Sequence, residues 1–129
     1  MTGAGGSVRD VGRIAVERVY DLDDRPAGAV FLVDGLWPRG VKKERLGLTA
    51  WLRDVAPSAE LRKWFGHDPA RWEEFRRRYR TELDTRPDAL KPIFDAAADG
   101  PVTLVYGARD TEHNNAIVLR EYIDERLVT

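Results

Sequence analysis

Ala29-Val30-Phe31-Leu32-Val33 is an unbroken apolar run of strand length, followed at once by Asp34-Gly35-Leu36-Trp37-Pro38-Arg39-Gly40, a loop with both backbone breakers. A strand with one wet face alternates apolar and polar residues. A run without alternation fits burial on both faces, the condition of a parallel sheet covered by helices. Val102-Thr103-Leu104-Val105-Tyr106 is a second such run and leads into Gly107-Ala108-Arg109-Asp110-Thr111. Helices between these strands predict an α/β fold, a small three-layer-type domain with a mostly parallel sheet flanked by helices.

Outward from these runs, Ile14, Val16, Val19 and Tyr20 predict a strand over 13–20, ended by the turn-rich stretch 21–28. A helix or helical turn is expected near Leu48-Thr49-Ala50-Trp51-Leu52. Ser58 is placed to cap a short helix through Leu61, Trp64 and Phe65, and Asp68 to cap the next, with Pro69 at its first position. Trp72, Phe75, Tyr79 and Leu83 then recur at spacings of 3, 4 and 4, one apolar stripe. A helix over 88–98 and a terminal helix carrying Ile117, Leu119, Tyr122, Ile123 and Leu127 complete the reading. Residues 1–11 read as a flexible tail and 12–129 as a single domain.

The 129 residues are 43% hydrophobic and 33% charged, with no cysteine. That excludes a disulfide scaffold, a cysteine zinc site and a thiol nucleophile, and it suits a reducing cytoplasm. No apolar run approaches the roughly 18 residues of a membrane span, and the start of the chain lacks the apolar segment of a signal peptide, so a cytoplasmic location without membrane contact is expected. Ser7 and Ser58 are the only serines, and neither a GxSxG elbow nor a Walker loop is present. His67 and His113 stand at no metal-ligand spacing, so no metal site is predicted, and the sequence leaves any cofactor unknown. The net charge of −1 hides a basic stretch: residues 36–80 hold 12 Lys and Arg against 6 Asp and Glu, the remainder 9 against 16.

In an open α/β sheet ligands bind beyond the carboxyl ends of the strands. The loops 34–40 and 107–115 are therefore the candidate site. Arg39 and Arg109 have the forked donors that suit a phosphate or carboxylate, and Arg109 is expected beside the anion-attracting start of the terminal helix. Asp34 is either a base or metal ligand, or it bonds the backbone of its own turn. His113, expected in the first turn of the terminal helix, is a base or ligand in its neutral form, or a satisfied structural histidine. Asp110 or Thr111 can cap that helix, and Asp110 is otherwise a ligand-binding candidate in the polar pocket with Asp34, Arg39, Arg109 and His113; Asn114 and Asn115 either cap or bond a ligand. Trp37 and His67 are candidates for the wall. Aromatics interleaved with arginine over 64–80 fit either a core helix with a solvated face or a platform for single-stranded nucleic acid.

The blocks Leu32-Val33-Asp34-Gly35-Leu36-Trp37-Pro38-Arg39-Gly40-Val41-Lys42-Lys43-Glu44, Trp51-Leu52-Arg53-Asp54-Val55-Ala56-Pro57-Ser58, Leu61-Arg62-Lys63-Trp64-Phe65-Gly66-His67-Asp68-Pro69 and Leu104-Val105-Tyr106-Gly107-Ala108-Arg109-Asp110-Thr111-Glu112-His113-Asn114-Asn115-Ala116 resemble the YeaO-like branch of domain of unknown function family 488. The resemblance spans about 14–123 and implies a small bacterial-type α/β domain. It brings no activity with it. That branch usually has Arg where Gly35 stands, so the resemblance implies that one guanidinium beside Asp34 is missing. In the wider family a Cys tends to stand at the place of Tyr106 and a Cys-His-Arg run at 114–116, after an Asp-x-x-His seen here as Asp110 and His113; this chain has neither Cys.

Three readings follow. In the first, a phosphate-bearing small molecule binds between the two loops, held by Arg39 and Arg109, with Asp34 and His113 as acid-base candidates if a reaction occurs. In the second, ranked below it, the basic 36–80 segment serves a nucleic-acid-binding or regulatory module. In the third the chain is a non-catalytic protein-interaction domain.

Overall fold

The computed structural model describes residues 14–22 and 25–127; the tail expected over 1–11 lies outside them. Among the described residues four strands form one sheet: β1 (Ile14–Arg18), β2 (Ala29–Leu32), β3 (Ala50–Trp51) and β4 (Val102–Tyr106), in the order β1-β4-β2-β3. All three pairings are parallel, with Val16 opposite Leu104 and Phe31 opposite Leu104 from the other side. The two apolar runs occupy the centre of the sheet, and β4 is buried at every position. β1 is an edge, and its Ala15 and Glu17 are exposed.

The helices are α1 (Lys43–Leu46), α2 (Ala59–Phe65), α3 (Trp72–Asp84), α4 (Pro87–Asp99) and α5 (Asn115–Leu127). Alternation along the strands sorts side chains between two cores. Phe31, Val33, Val102, Leu104 and Tyr106 face the larger one with Phe65, Phe75, Tyr79, Ile93 and Ile123, supplied by α2 to α5. Val30, Leu32 and Val105 face a smaller one, closed by Val41, Leu46 and the half-buried Trp37, Leu48 and Trp51. The fold is thus α/β with a parallel sheet, but its layers are unequal: four helices cover one face, while α1 and the loops around it cover the other.

The caps fall where the residue types require. Ser58 Oγ accepts from Leu61 N at 3.1 Å, and Asp68 Oδ1 accepts from Ala70 N at 3.0 Å at the 3₁₀ turn Pro69–Arg71 that feeds α3. The stripe on α3 is core, with Phe75, Tyr79 and Leu83 buried. Around it, Arg76 pairs with Glu73 and Glu121, Arg77 and Arg78 with Glu74, and Arg80 with Glu125.

Three expectations are corrected. The stretch 48–52 holds strand β3 in place of a helix: Thr49 N and Leu52 N donate to Val30 O and Leu32 O at 2.7 and 2.8 Å. The open edge of β2 needs backbone partners, and this requirement outweighs local helical preference. The terminal helix begins only at Asn115, so His113 precedes it. Asp110 does not cap it; Asp110 Oδ1 closes a turn by accepting from Glu112 N and His113 N, both at 2.9 Å, and Asn114 Oδ1 accepts from Ile117 N at 3.1 Å. No described helix is long and apolar enough to cross a membrane.

Candidate functional site

Parallel strands put their carboxyl ends on one rim, and chain order decides where that rim opens. From β2 the chain moves outward to β3, and from β3 it returns to β4 on the other side of β2. Beyond its loop the chain from β2 runs to α1 on one face of the sheet and the chain from β4 to α5 on the other, and the space between the two loops is the crevice such sheets offer to ligands. One side chain fastens the gap. Asp34, the second residue after β2, accepts from the Gly107 N–H just beyond β4 through Oδ2 at 2.8 Å.

The surrounding chain is held by similar bonds. Asn115, first in α5, donates through Nδ2 to Val33 O at 3.0 Å. Trp51 Nε1 donates to Asp34 O and Trp37 Nε1 to Val41 O, both at 2.7 Å, and the two indoles meet edge to face at 5.4 Å. The Tyr20 hydroxyl donates to Arg39 O at 2.8 Å. Together they shape a cleft of about 380 Å³, within the usual size range of small-molecule sites.

Of the residues expected at the site, the cleft brings together Asp34, Trp37, Arg39, His67, His113, Asn114 and Asn115. Arg109 is exposed and does not line it, because the helix it was expected to flank starts six residues later. Asp110 stands behind the lining, its Oδ2 on His113 Nδ1 at 2.9 Å. His113 rests edge-on against Trp72, with ring centroids 5.1 Å apart. His67 sits in the left-handed region at φ 58°, an uncommon setting for a residue with a side chain, and its ring lies 6.1 Å from that of Phe65.

Sequence reasoning missed Arg62, Tyr20, and the apolar lining of Pro57, Phe65 and Phe75. Phe65 and Phe75 stack at 4.3 Å. Arg62 brings a guanidinium near enough to Asp34 for the carboxyl group to feel its charge. It reaches there from α2, against Gly35.

Burial raises the pKa of Asp34 above the ordinary carboxylate value; the Gly107 N–H, Asn115, Arg62 and His67 pull the other way without cancelling it. Folding therefore favours the protonated form. The contribution of Asp34 to stability is fully present below its unfolded pKa of 3.8 and is lost as pH rises through the raised folded value. Asp34→Asn keeps an acceptor for Gly107 and removes the titration. Urea unfolding midpoints measured between about pH 4 and pH 7 should show wild type losing stability relative to the Asn variant as pH rises; parallel curves would refute the shift. Asp110 moves oppositely, held low first by the Glu112 N–H and then by His113. Its contribution is present above 3.8 and fades as pH falls through the lowered value. No set of three His, Asp or Glu side chains that could hold a metal converges among the described residues.

Comparison with known sequences locates this arrangement. The model of the family described as "Inactive DUF488-N3 subclade" matches residues 13–129. The chain belongs to that family. It is similar to the uncharacterised protein YeaO of Escherichia coli K12, 40% identical over 110 residues that cover 85% of this chain and 96% of YeaO. The uncharacterised protein Rv3073c of Mycobacterium tuberculosis H37Rv is 38% identical over 114 residues, 88% of this chain and 96% of its own length. Mb3100c of Mycobacterium bovis matches to the same extent. No solved structure matches.

Proposed function

We propose that the cleft binds a small phosphate-bearing molecule in the cytosol and holds it without turning it over. The observation that carries this reading is the convergence of the 34–40 and 107–115 loops on one crevice at the sheet's switch point, fastened by the Asp34–Gly107 bond. The charge of its lining agrees. Arg39 and Arg62 stand against Asp34 as the one acidic lining residue among those described, and burial disfavours the charged form of Asp34. The start of the 13-residue α5 adds the positive end of a helix dipole at the same edge. With Nδ1 held by Asp110, the nitrogen left to His113 for a ligand is Nε2. The description of the family as an inactive subclade favours holding over turnover. The nucleic-acid reading ranks second, since the α3 arginines are engaged with carboxylates and the aromatic stripe is core.

The test is a thermal-shift and calorimetric screen with inorganic phosphate, ribose 5-phosphate and AMP. At a ligand concentration about 100 times Kd, stabilisation of about 2.7 kcal/mol is expected, which raises the melting midpoint by several degrees. His113→Ala should weaken binding roughly tenfold. No shift with any probe, or shifts indifferent to His113→Ala, would overturn the reading. Phosphorus NMR of the same mixtures should show no product; steady release of phosphate would refute the absence of turnover. A short single-stranded oligonucleotide whose affinity falls steeply with salt would move the nucleic-acid reading to first place.

A further inference from the structure

The lining contains a charged group whose position local sequence does not explain. Arg62 projects from α2 and is half-buried; its Nε is fully buried with no hydrogen-bond partner. One other buried side-chain atom among the described residues is in that state, Nη1 of Arg80, but that guanidinium is engaged through Nη2 with Glu125 and lies over the Tyr122 ring. The guanidinium of Arg62 has no ion pair among the described residues, although the Asp34 carboxylate is close enough to feel its charge. A buried donor left unmade costs free energy, and a guanidinium offers a planar fork that matches two oxygens of a phosphate. The guanidinium has space because position 35 carries no side chain. A Cβ built on Gly35 would stand 3.3 Å from Arg62 Cζ and 3.4 Å from Nη2.

We propose that Arg62 is the principal anion-holding residue of the cleft, and that Gly35 is the specificity-determining position that leaves its guanidinium free to meet the ligand. This deepens the phosphate-binding reading and rests on it. Gly35 does not have the positive φ that would strain an alanine. Gly35→Ala is thus a change at the guanidinium and not in the backbone. The added methyl displaces Arg62 by a few tenths of an ångström and lowers affinity several-fold. Arg62→Gln removes the charge and the fork and lowers affinity roughly 10- to 100-fold. Arg62→Lys restores the charge alone and recovers only part of the loss.

The experiment is a double-mutant cycle by calorimetry with inorganic phosphate and ribose 5-phosphate on wild type, Gly35→Ala, Arg62→Gln, Arg62→Lys and the Gly35→Ala/Arg62→Gln pair, with unfolding midpoints measured alongside. The expected result is that Gly35→Ala weakens binding in the wild-type background and has no effect once Arg62 is Gln. Wild type that binds neither probe removes the phosphate reading and this assignment with it. Wild type that binds, with Arg62→Gln binding equally well, leaves the cleft reading standing and overturns the assignment. Equal effects of Gly35→Ala in both backgrounds overturn the role of position 35. A fall in unfolding midpoint without loss of affinity would assign Arg62 to the fold alone, against the proposal.

Discussion

Phe75→Ala is expected to cost about 3–5 kcal/mol of unfolding free energy, a large part of the roughly 5–15 kcal/mol available to a domain of this size. Phe75 is 2% exposed. Its ring stacks on Phe65 at 4.3 Å, on Trp72 at 5.8 Å, and lies tilted against Tyr79 at 5.8 Å. Truncation removes the centre of an aromatic row, and the surviving rings are too rigid to close the void, so the cavity adds to the lost transfer energy. Urea or guanidinium unfolding checks this through a lower midpoint at unchanged slope. A loss under about 1 kcal/mol would mean that the row repacks and is not the rigid unit described.

The second large effect is expected at Gly28, just before β2. Its φ is +79°, and a Cβ there would stand 2.1 Å from Pro101 O, a carbonyl that itself accepts the Ala29 N–H at 3.1 Å. The obstacle is backbone, held in the pairing of β2 with β4, so no rotamer change relieves it. Left-handed strain of about 1–3 kcal/mol and overpacking of a similar size together give Gly28→Ala a cost of roughly 2–5 kcal/mol. Gly40→Ala is the control. Its φ is +75° but nothing lies within 4 Å of its added methyl, so only the conformational part, about 1 kcal/mol, should appear. Equal losses at the two glycines would show that the clash with Pro101 is relieved by a small shift.

The central sheet was legible because burial on both faces leaves a simple trace: Val30, Leu32 and Val105 had to be apolar for one core, Phe31 and Leu104 for the other. That the following loops would meet was legible for the same reason, since strands buried this way are parallel and end together. Trp37, Arg39, His67 and His113 reached the cleft because they belong to the loops at that end or to turns beside them. Arg109 falls outside the cleft lining for want of a local signal: loop position does not say when the next helix begins, and the Asp110 turn delayed it. Arg62 was invisible for a different reason. On a helix every solvated arginine has the same spacing, and only the crossing of α2 over Gly35, a contact between distant segments, distinguishes this one. β3 was lost because two residues carry no periodicity, and its existence answers the open edge of β2 rather than a preference of Ala50 and Trp51.

The loop after β2 belongs to the cleft and to the cover of the smaller core at once. Trp37 lines the cleft, packs on that core and is bound to Val41; Trp51 packs there too and is bound to the backbone of Asp34. Such a segment answers to two masters, and a change at the cleft does not release it from the second. Relatives that share the Trp37-Pro38-Arg39-Gly40 sequence inherit a structural clasp whether or not they inherit any chemistry. Substitutions that retune the cleft without unseating the sheet are therefore expected at positions that touch the one and do not hold the other, of which Gly35 and Arg62 are a pair.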